Sequence, residues 1–239
     1  MIKLEKRDKL AELFVYGAIG DPWDGITPKD VSAALKDAKG TEEITVRINS
    51  EGGIAFDGVA IYNLLRTAPQ VVSVIVDGLA ASAASIVAMA GDRIVMGEGT
   101  MMMIHDPWGL VMGTAEDMRS TANVLEAITG QVAGIYASRS LGEIGDFRKL
   151  MKDETWLTAD EAVELGLADE VEEREIVAAQ WDLSRFQNVP DRLKPHSVDS
   201  KFRAPSQPTK PPADPPAPRP LNREHQNRRL RIYRARHIG

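Results

Sequence analysis

The sequence predicts an α/β protein in which helices cover both faces of a largely parallel sheet. Segments typical of strands and of helices alternate over about the first 185 residues, which is the order found in βαβ units. The strand segment "VVSVIVD" (71–77) is apolar nearly throughout, as expected for a strand buried on both faces. The helices also begin at suitable residues: Thr27 can cap a helix whose first position is Pro28.

Each predicted element has a local reason in the sequence. Apolar runs mark the strands, and glycine or polar clusters end them. A Thr-x-x-Asp capping box opens a long helix at Thr114, while Thr158 caps the last helix and Gly166 ends it. The predicted strands are 13–20, 43–49, 71–77, 92–96 and 100–105, and the predicted helices are 27–38, 55–68, a segment ending near 90, 114–140 and 158–166.

The last part of the chain differs in composition, and this places a domain boundary near residue 185. Residues 191–239 hold nine of the fourteen prolines, and 12 Lys or Arg against 4 Asp or Glu. Such a segment can neither propagate a helix nor bury a core, so we predict a folded domain over 1–185 and a disordered basic tail over 186–239. The tail is a solvated segment, an electrostatic contact for an acidic partner, or the remnant of a longer precursor. Its spacing matches no nucleic-acid-binding module, so no nucleic-acid partner is expected.

The composition argues against several classes of protein. The chain has no cysteine, which excludes disulfides, thiolate catalysis and cysteine-bound metals. No apolar run approaches 18 residues, and the N-terminus lacks the apolar core of a secretory signal. We therefore expect a cytoplasmic protein without a membrane segment. His196, His225 and His237 belong to the tail, so His105 is alone in the predicted domain, which argues against a metal site.

Three unusual segments follow predicted strands. They are "NSEGG" (49–53), "DGLAASAAS" (77–85) and "HDPWG" (105–109). In sheets of this class, ligands bind where strands end and loops turn into helices. The three segments therefore outline a candidate site at one edge of the sheet.

Ser82 and His105 are the residues of this edge that could carry nucleophilic chemistry. Ser82 would stand at the first turn of a helix, where the N–H of Ala83 has no helical partner and could stabilise an anion. Gly52–Gly53 on the neighbouring strand could bring a second N–H close to a substrate. Each residue also has a plain structural explanation: small residues allow close helix packing, and a lone histidine can cap a strand end. Together they suggest acyl transfer.

At this point the sequence resembles a known family. "INSEGG", "DGLAASAAS", "MMMIHDPWG" and "ETWLTADEAVELGLADEV" occur in this order within residues 12–173. They look like the proteolytic subunit family of Clp protease (ClpP), a crotonase-like α/β fold, and most of all like its phage and prophage branch of head-maturation proteases. The resemblance implies a serine endopeptidase that needs no cofactor or metal, with Ser82 as nucleophile and His105 as general base. It also assigns the oxyanion hole to the amides of Gly53 and Ala83.

The resemblance leaves the third member of the triad open. Counted without a gap from His105, the family's aspartate falls on Glu154, and a shift of one residue brings Asp153 to the same place. Either carboxylate could orient the imidazole. We favour Glu154, because this register also aligns "LTADEA" with the start of the family's helix. A second departure is Glu51, which stands where the family often has a proline before the diglycine.

The resemblance further implies assembly and partners. Proteins of this family form rings that enclose the active sites, so we expect a homo-oligomer, either a heptameric ring or a stacked pair, with helix 114–140 between rings. The "NSEGG" strand would hold a peptide substrate as an added β-strand. The apolar positions of the long helix would face the core or a partner; they are Met118, Val124, Leu125, Ile128, Val132 and Ile135.

Two biological roles fit a ClpP-like protease. One is the cleavage of scaffold and capsid proteins of a phage head, in the host cytoplasm or inside a procapsid, with the tail as a tether. The other is a housekeeping subunit that works with an AAA+ unfoldase. Two further alternatives have no proteolytic role: an acyl-CoA enzyme of the crotonase fold, which needs no serine nucleophile, and a non-catalytic assembly subunit.

Overall fold

The computed structural model describes residues 3–20, 25–140, 142–173 and 181–193. The described residues up to Pro190 form one compact unit. The described strands are β1 (Lys3–Arg7), β2 (Leu10–Tyr16), β3 (Glu43–Ser50), β4 (Val71–Ala81), β5 (Arg93–Gly97), β6 (Met101–Ile104), β7 (Thr155–Thr158) and β8 (Glu170–Glu172). The described helices are α1 (Pro28–Asp37), α2 (Ala55–Arg66), α3 (Ala83–Ala88), α4 (Ala115–Arg139), α5 (Ile144–Lys152), α6 (Ala159–Glu164) and a 3-10 turn, Asp191–Leu193.

The strands form one mostly parallel sheet in the order β1-β2-β3-β4-β5-β8. β2, β3, β4, β5 and β8 are parallel neighbours, whereas β1 pairs antiparallel with β2. The predicted α/β class is therefore confirmed. Alternate residues of β2 and β3 are fully buried apolar side chains, and the first half of β4 follows the same pattern.

The second half of β4 leaves β5 and pairs with β6, which positions the candidate site. Residues 73–76 of β4 pair with β5, and Leu79–Ala81 pair with Met101–Met103 of β6. β7 extends this branch as the antiparallel neighbour of β6. Since β4 ends immediately before Ser82 and β6 immediately before His105, the branch brings the two residues to the same edge.

The small residues after β4 allow a close contact between two helices. A Cβ built on Gly58 of α2 would lie 3.0 Å from the Cβ of Ala83 in α3, which is tighter than most contacts of this kind. All six residues of α3 are buried. The helix-packing explanation of "AASAAS" is thus correct for Ala83, and it does not exclude a chemical role for Ser82.

Most predicted elements lie within a few residues of the observed ones. Capping boxes are present at Thr27, Thr114 and Thr158. β4 runs four residues beyond the predicted end, because Gly78–Ala81 continue as a strand instead of opening the helix. β1, α5, β7 and β8 were not predicted from the sequence. From residue 194 onwards, the predicted disordered tail lies outside the described residues.

The apolar positions of α4 divide between the core and the surface. Ile128 and Val132 are buried, whereas Met118 and Val124 are each 49% exposed. Leu125 and Ile135 are half-buried. The N-terminal half of α4 is therefore largely uncovered in the single chain, with apolar side chains on its surface.

Candidate active site

Ser82 occupies a sharp turn between β4 and α3. Its φ and ψ are 54° and −122°, a conformation that residues with a Cβ rarely adopt. The turn is held by the Ser82 N–H, which donates to the carbonyl of Met103 on β6 at 2.9 Å. The same turn makes Ser82 the N-cap of α3 without using its hydroxyl as a cap, so Oγ stays available for another partner.

His105 is that partner. Its Nε2 lies 2.7 Å from Ser82 Oγ, within hydrogen-bonding distance. Burial of the ring lowers the pKa of His105 below its ordinary value; the negative charge of Glu154 acts in the opposite direction, and the positive charge of Arg185 adds to the lowering. The imidazole is therefore held in its neutral form at neutral pH, the form that accepts a proton from a serine hydroxyl.

Gly52 and Gly53 lie against the serine turn. A Cβ on Gly52, whose φ is +87°, would lie 2.8 Å from both Ala83 N and Ser82 Cβ. Gly53 forms a β-bridge with Ile19. The Ile19 carbonyl accepts a hydrogen bond from Ile54 N, and the Ile19 N–H donates to the Gly52 carbonyl. Among the described residues, neither Gly53 N nor Ala83 N donates a hydrogen bond. Gly52 thus packs on the serine turn, and the N–H groups of Gly53 and Ala83 are not used by these neighbours.

Glu154 and Asp153 follow α5 and differ in their surroundings. Glu154 has a φ of 47°, and its carboxylate accepts from the backbone N–H groups of Gln187 and Asn188 and from Trp156 Nε1. Asp153 is exposed and forms the C-cap of α5. Within the described part of the chain, the His105 ring forms no hydrogen bond with either carboxylate, although the Glu154 charge acts on its pKa.

Ser85, the second serine of "AASAAS", is fully buried. Its hydroxyl donates to the Ser82 carbonyl at 2.6 Å and lies 2.8 Å from the Tyr136 hydroxyl. Burial raises the pKa of Tyr136 far above its ordinary range. Ser85 therefore links α3 to α4 through Tyr136 and stabilises the serine turn through the Ser82 carbonyl.

Sequence reasoning missed residues 181–188, which lie against the candidate site. Phe186 is 7% exposed and packs edge-to-face on the His105 ring, with centroids 5.4 Å apart. Arg185 Nη2 donates to the carbonyl of Glu51 at 2.9 Å, and Trp181 Nε1 donates to Asn49 Oδ1 at 3.0 Å. The signal in the sequence was weak: two aromatic residues in the polar stretch "WDLSRFQN", just before the proline-rich segment.

Two further observations concern metal ligands and helix length in the described residues. No cluster of three or more His, Asp or Glu side chains in the described ranges is arranged to hold a metal ion. Likewise, none of the described helices has the length and apolar character needed to cross a membrane.

Comparison with known proteins supports one family. The family model described as Clp protease matches residues 26–175. An ATP-dependent Clp protease proteolytic subunit from Bacteroides thetaiotaomicron is 34% identical over 136 residues, 54% of this chain and 60% of that protein. Proteolytic subunit 3 from Rhodococcus jostii is 32% identical over 177 residues, 70% of this chain and 87% of that protein.

A solved structure supports the fold. A mutant of ClpP1 from Listeria monocytogenes has a TM-score of 0.61 and 23% identity, with 68% of this chain and 91% of that chain covered. The chain spans about 60% of the length of the Bacteroides thetaiotaomicron relative. The fold is accordingly the ClpP-type α/β fold, and the family model covers more than half of the sequence. The chain belongs to the Clp protease family.

Proposed function

We propose that the protein is a serine endopeptidase in which Ser82 is the nucleophile and His105 the general base. The observation that carries this proposal is the 2.7 Å contact between Ser82 Oγ and His105 Nε2 at a strained strand-to-helix turn. His105 takes the proton of Ser82, and Oγ attacks a peptide carbonyl. The N–H groups of Gly53 and Ala83 hold the oxyanion. His105 then protonates the leaving amine, and water hydrolyses the acyl-enzyme with His105 again as base.

Glu154 is the carboxylate that we propose as third member of the triad. Its charge acts on the pKa of His105, whereas Asp153 is exposed and has no described contact with the ring. A carboxylate in this role holds the imidazole in the correct tautomer and stabilises the imidazolium that forms during attack. We therefore expect Glu154→Ala to lower kcat by up to about 10⁴-fold, as for the acid of other triads, and Asp153→Ala to lower it far less.

Labelling with a fluorophosphonate probe tests the nucleophile directly. Wild type and Ser85→Ala should form the covalent adduct, and Ser82→Ala should not. The two serines are matched, since they lie three residues apart at the same helix, and only Ser82 contacts His105. Labelling of Ser82→Ala, or loss of labelling only in Ser85→Ala, would contradict the assignment. Mass spectrometry of the labelled peptide identifies the modified residue.

The paired Ser82 and His105 also bear on the two non-proteolytic alternatives. An acyl-CoA enzyme of this fold would use the backbone N–H groups alone and would have no use for a serine hydrogen-bonded to a half-buried histidine. A non-catalytic assembly subunit would likewise have no use for the strained turn, which costs stability. Both alternatives predict that Ser82→Ala leaves the activity of the protein unchanged.

We further propose that the protein works as a homo-oligomeric ring or a stacked pair of rings. The exposed apolar side chains on the N-terminal half of α4 and the preceding loop support this assembly: Trp108, Leu110, Met112, Met118 and Val124. Light scattering coupled to size exclusion should give a mass of several chains. A monomer at micromolar concentration would refute the assembly and leave the chemistry untouched.

The biological substrate distinguishes the two roles open to such a ring. The resemblance to phage and prophage enzymes favours scaffold or capsid protein, whereas the relatives reported above are named as subunits of an ATP-dependent protease. Adding an AAA+ unfoldase and ATP to the purified protein separates them. Degradation of a folded substrate only with both additions supports the housekeeping role. Cleavage of scaffold protein without nucleotide supports head maturation.

A further inference from the structure

Residues 181–188, here called the strap, contact the predicted substrate strand, the His105 ring and the Glu154 carboxylate. Trp181 reaches Asn49, and Arg185 reaches Glu51 on the segment that leads from β3 to the diglycine. The strap thus begins on the predicted substrate strand and continues to the base and the acid of the proposed triad.

The contact with the substrate strand involves the backbone that a peptide would need. A substrate added as a β-strand beside "NSEGG" exchanges hydrogen bonds with main-chain groups of that segment. Arg185 Nη2 already donates to the Glu51 carbonyl at 2.9 Å. The Trp181 ring also covers Gly78: a Cβ built on this glycine would lie 3.1 Å from the ring. A peptide that pairs with this segment therefore competes with Arg185 for the Glu51 carbonyl.

The contact with His105 is made by an aromatic side chain. Phe186 packs against the ring faces and edges of His105 and Trp156, with centroid separations of 5.4 Å and 5.7 Å. It is 7% exposed although its chain neighbours on both sides are exposed. Phe186 therefore fills the apolar space beside the proposed general base.

The contact with Glu154 occupies the carboxylate. Oε1 accepts from Gln187 N at 2.8 Å, from Asn188 N at 2.7 Å and from Trp156 Nε1 at 3.3 Å, and Oε2 shares the Gln187 N–H at 3.0 Å. Two of these three donors belong to the strap. The carboxylate is therefore bound to the strap and not to the His105 ring in this structure.

From these contacts we propose that the strap is an internal occupant of the substrate groove, which holds the enzyme in a closed state and is displaced when a peptide binds. This proposal rests on the protease function proposed above, and it names how that site is regulated. In the closed state the Glu51 carbonyl, the His105 ring and the Glu154 carboxylate are all engaged by the chain's own residues. Displacement frees the three groups together.

The proposal has a kinetic signature. A substrate that competes with an internal occupant binds only the open fraction of the enzyme. Its apparent dissociation constant is therefore the intrinsic one divided by that fraction, while the rate at saturation stays the same. Weakening the strap should therefore lower KM and leave kcat nearly unchanged. A segment that instead positions Glu154 for catalysis would, when weakened, lower kcat.

Arg185→Ala and Phe186→Ala test this signature in the full chain. We expect each to lower KM for a fluorogenic peptide about tenfold, with kcat within about twofold of wild type. Arg192→Ala is the matched control, because it removes the same charge seven residues away at an exposed position. Arg185 is itself exposed, so its loss should not endanger folding even if Phe186→Ala does. An unchanged KM in folded Arg185→Ala, or a fall in kcat, would overturn the proposal.

A binding measurement separates this proposal from the protease function. A fluorescent peptide of residues 181–190, "WDLSRFQNVP", should bind the Phe186→Ala protein at least about tenfold more tightly than it binds wild type. The same peptide with alanine for Arg185 and Phe186 should bind neither. Equal binding to both proteins would overturn the proposal that the strap occupies the groove, whatever activity the variants have. If fluorophosphonate fails to label Ser82 in every variant, the proposed protease function is overturned. The peptide-binding result then still tests whether the strap occupies the groove.

Discussion

Replacing Gly52 by alanine tests how tightly the serine turn is packed. A Cβ on Gly52 would lie 2.4 Å from the carbonyl oxygen of Ala81 and 2.8 Å from both Ala83 N and Ser82 Cβ. Ordinary contacts of a Cβ begin at 3.4 Å, so the backbone on either side of Ser82 must move by about 1 Å. All the atoms in question are backbone atoms or a Cβ, so no flexible side chain can yield instead.

The displacement falls on the groups that do the proposed chemistry. A shift of about 1 Å in a catalytic geometry can cost about 10²-fold in rate, so we expect kcat of Gly52→Ala to fall about 100-fold. The alanine must also adopt a φ of +87°, which costs about 1–2 kcal/mol of stability. Steady-state hydrolysis of a fluorogenic peptide measures the first effect, and urea unfolding measures the second.

Gly40→Ala separates the two effects. Gly40 has a φ of +92° and nothing within 4 Å of a built Cβ, and it lies in the turn before β3. Gly40→Ala should therefore lose about as much free energy of unfolding as Gly52→Ala and keep kcat within about twofold of wild type. If Gly52→Ala retains kcat within about threefold of Gly40→Ala while both are folded, the close packing behind Ser82 does not position it, and the reasoning is wrong.

Two further predictions concern pH and stability. Burial holds the pKa of His105 below 6.5, and only the neutral ring accepts the Ser82 proton. The labelling rate at Ser82 should therefore rise with pH and reach half its plateau below pH 6.5. Glu154→Gln removes the charge that raises this pKa, so it should move the midpoint lower still. Asp77, with a side chain 2% exposed, accepts from Tyr16 and Arg47, so Asp77→Asn should lower the free energy of unfolding by about 3 kcal/mol in urea. Glu170→Gln breaks an exposed pair with Arg93 and should cost less than about 1 kcal/mol; equal costs would contradict the argument from burial.

The positions of Ser82 and His105 could be predicted because they depend on topology. Parallel strands in adjacent positions end at the same edge, so residues that directly follow two such strands meet there whatever the details of the loops. The predicted β4 was four residues too short, since Gly78–Ala81 have the composition of a helix start. Pairing with β6 is what keeps Leu79–Ala81 in a strand, and such long-range pairing leaves no local signal in the sequence.

The surroundings of Glu154 could not be predicted in the same way. The residue lies in a tight turn between α5 and β7, neither of which was identified, and it adopts a φ of 47°. A positive φ at a glutamate is set by the packing around it and not by its own preference. The strap is irregular and has no hydrophobic period, and its contacts join residues more than 30 positions apart.

Glu154 joins the two proposals and affects how its variants must be interpreted. As the acid of the triad it supports His105, so its loss lowers the rate of attack. As the acceptor for Gln187 N and Asn188 N it holds the strap, so its loss also opens the groove and lowers KM. The two effects have opposite signs in kcat/KM. Only the loss in kcat therefore reports on the triad, and a Glu154→Ala enzyme whose KM falls together with kcat is the result expected when one carboxylate serves both the strap and the base.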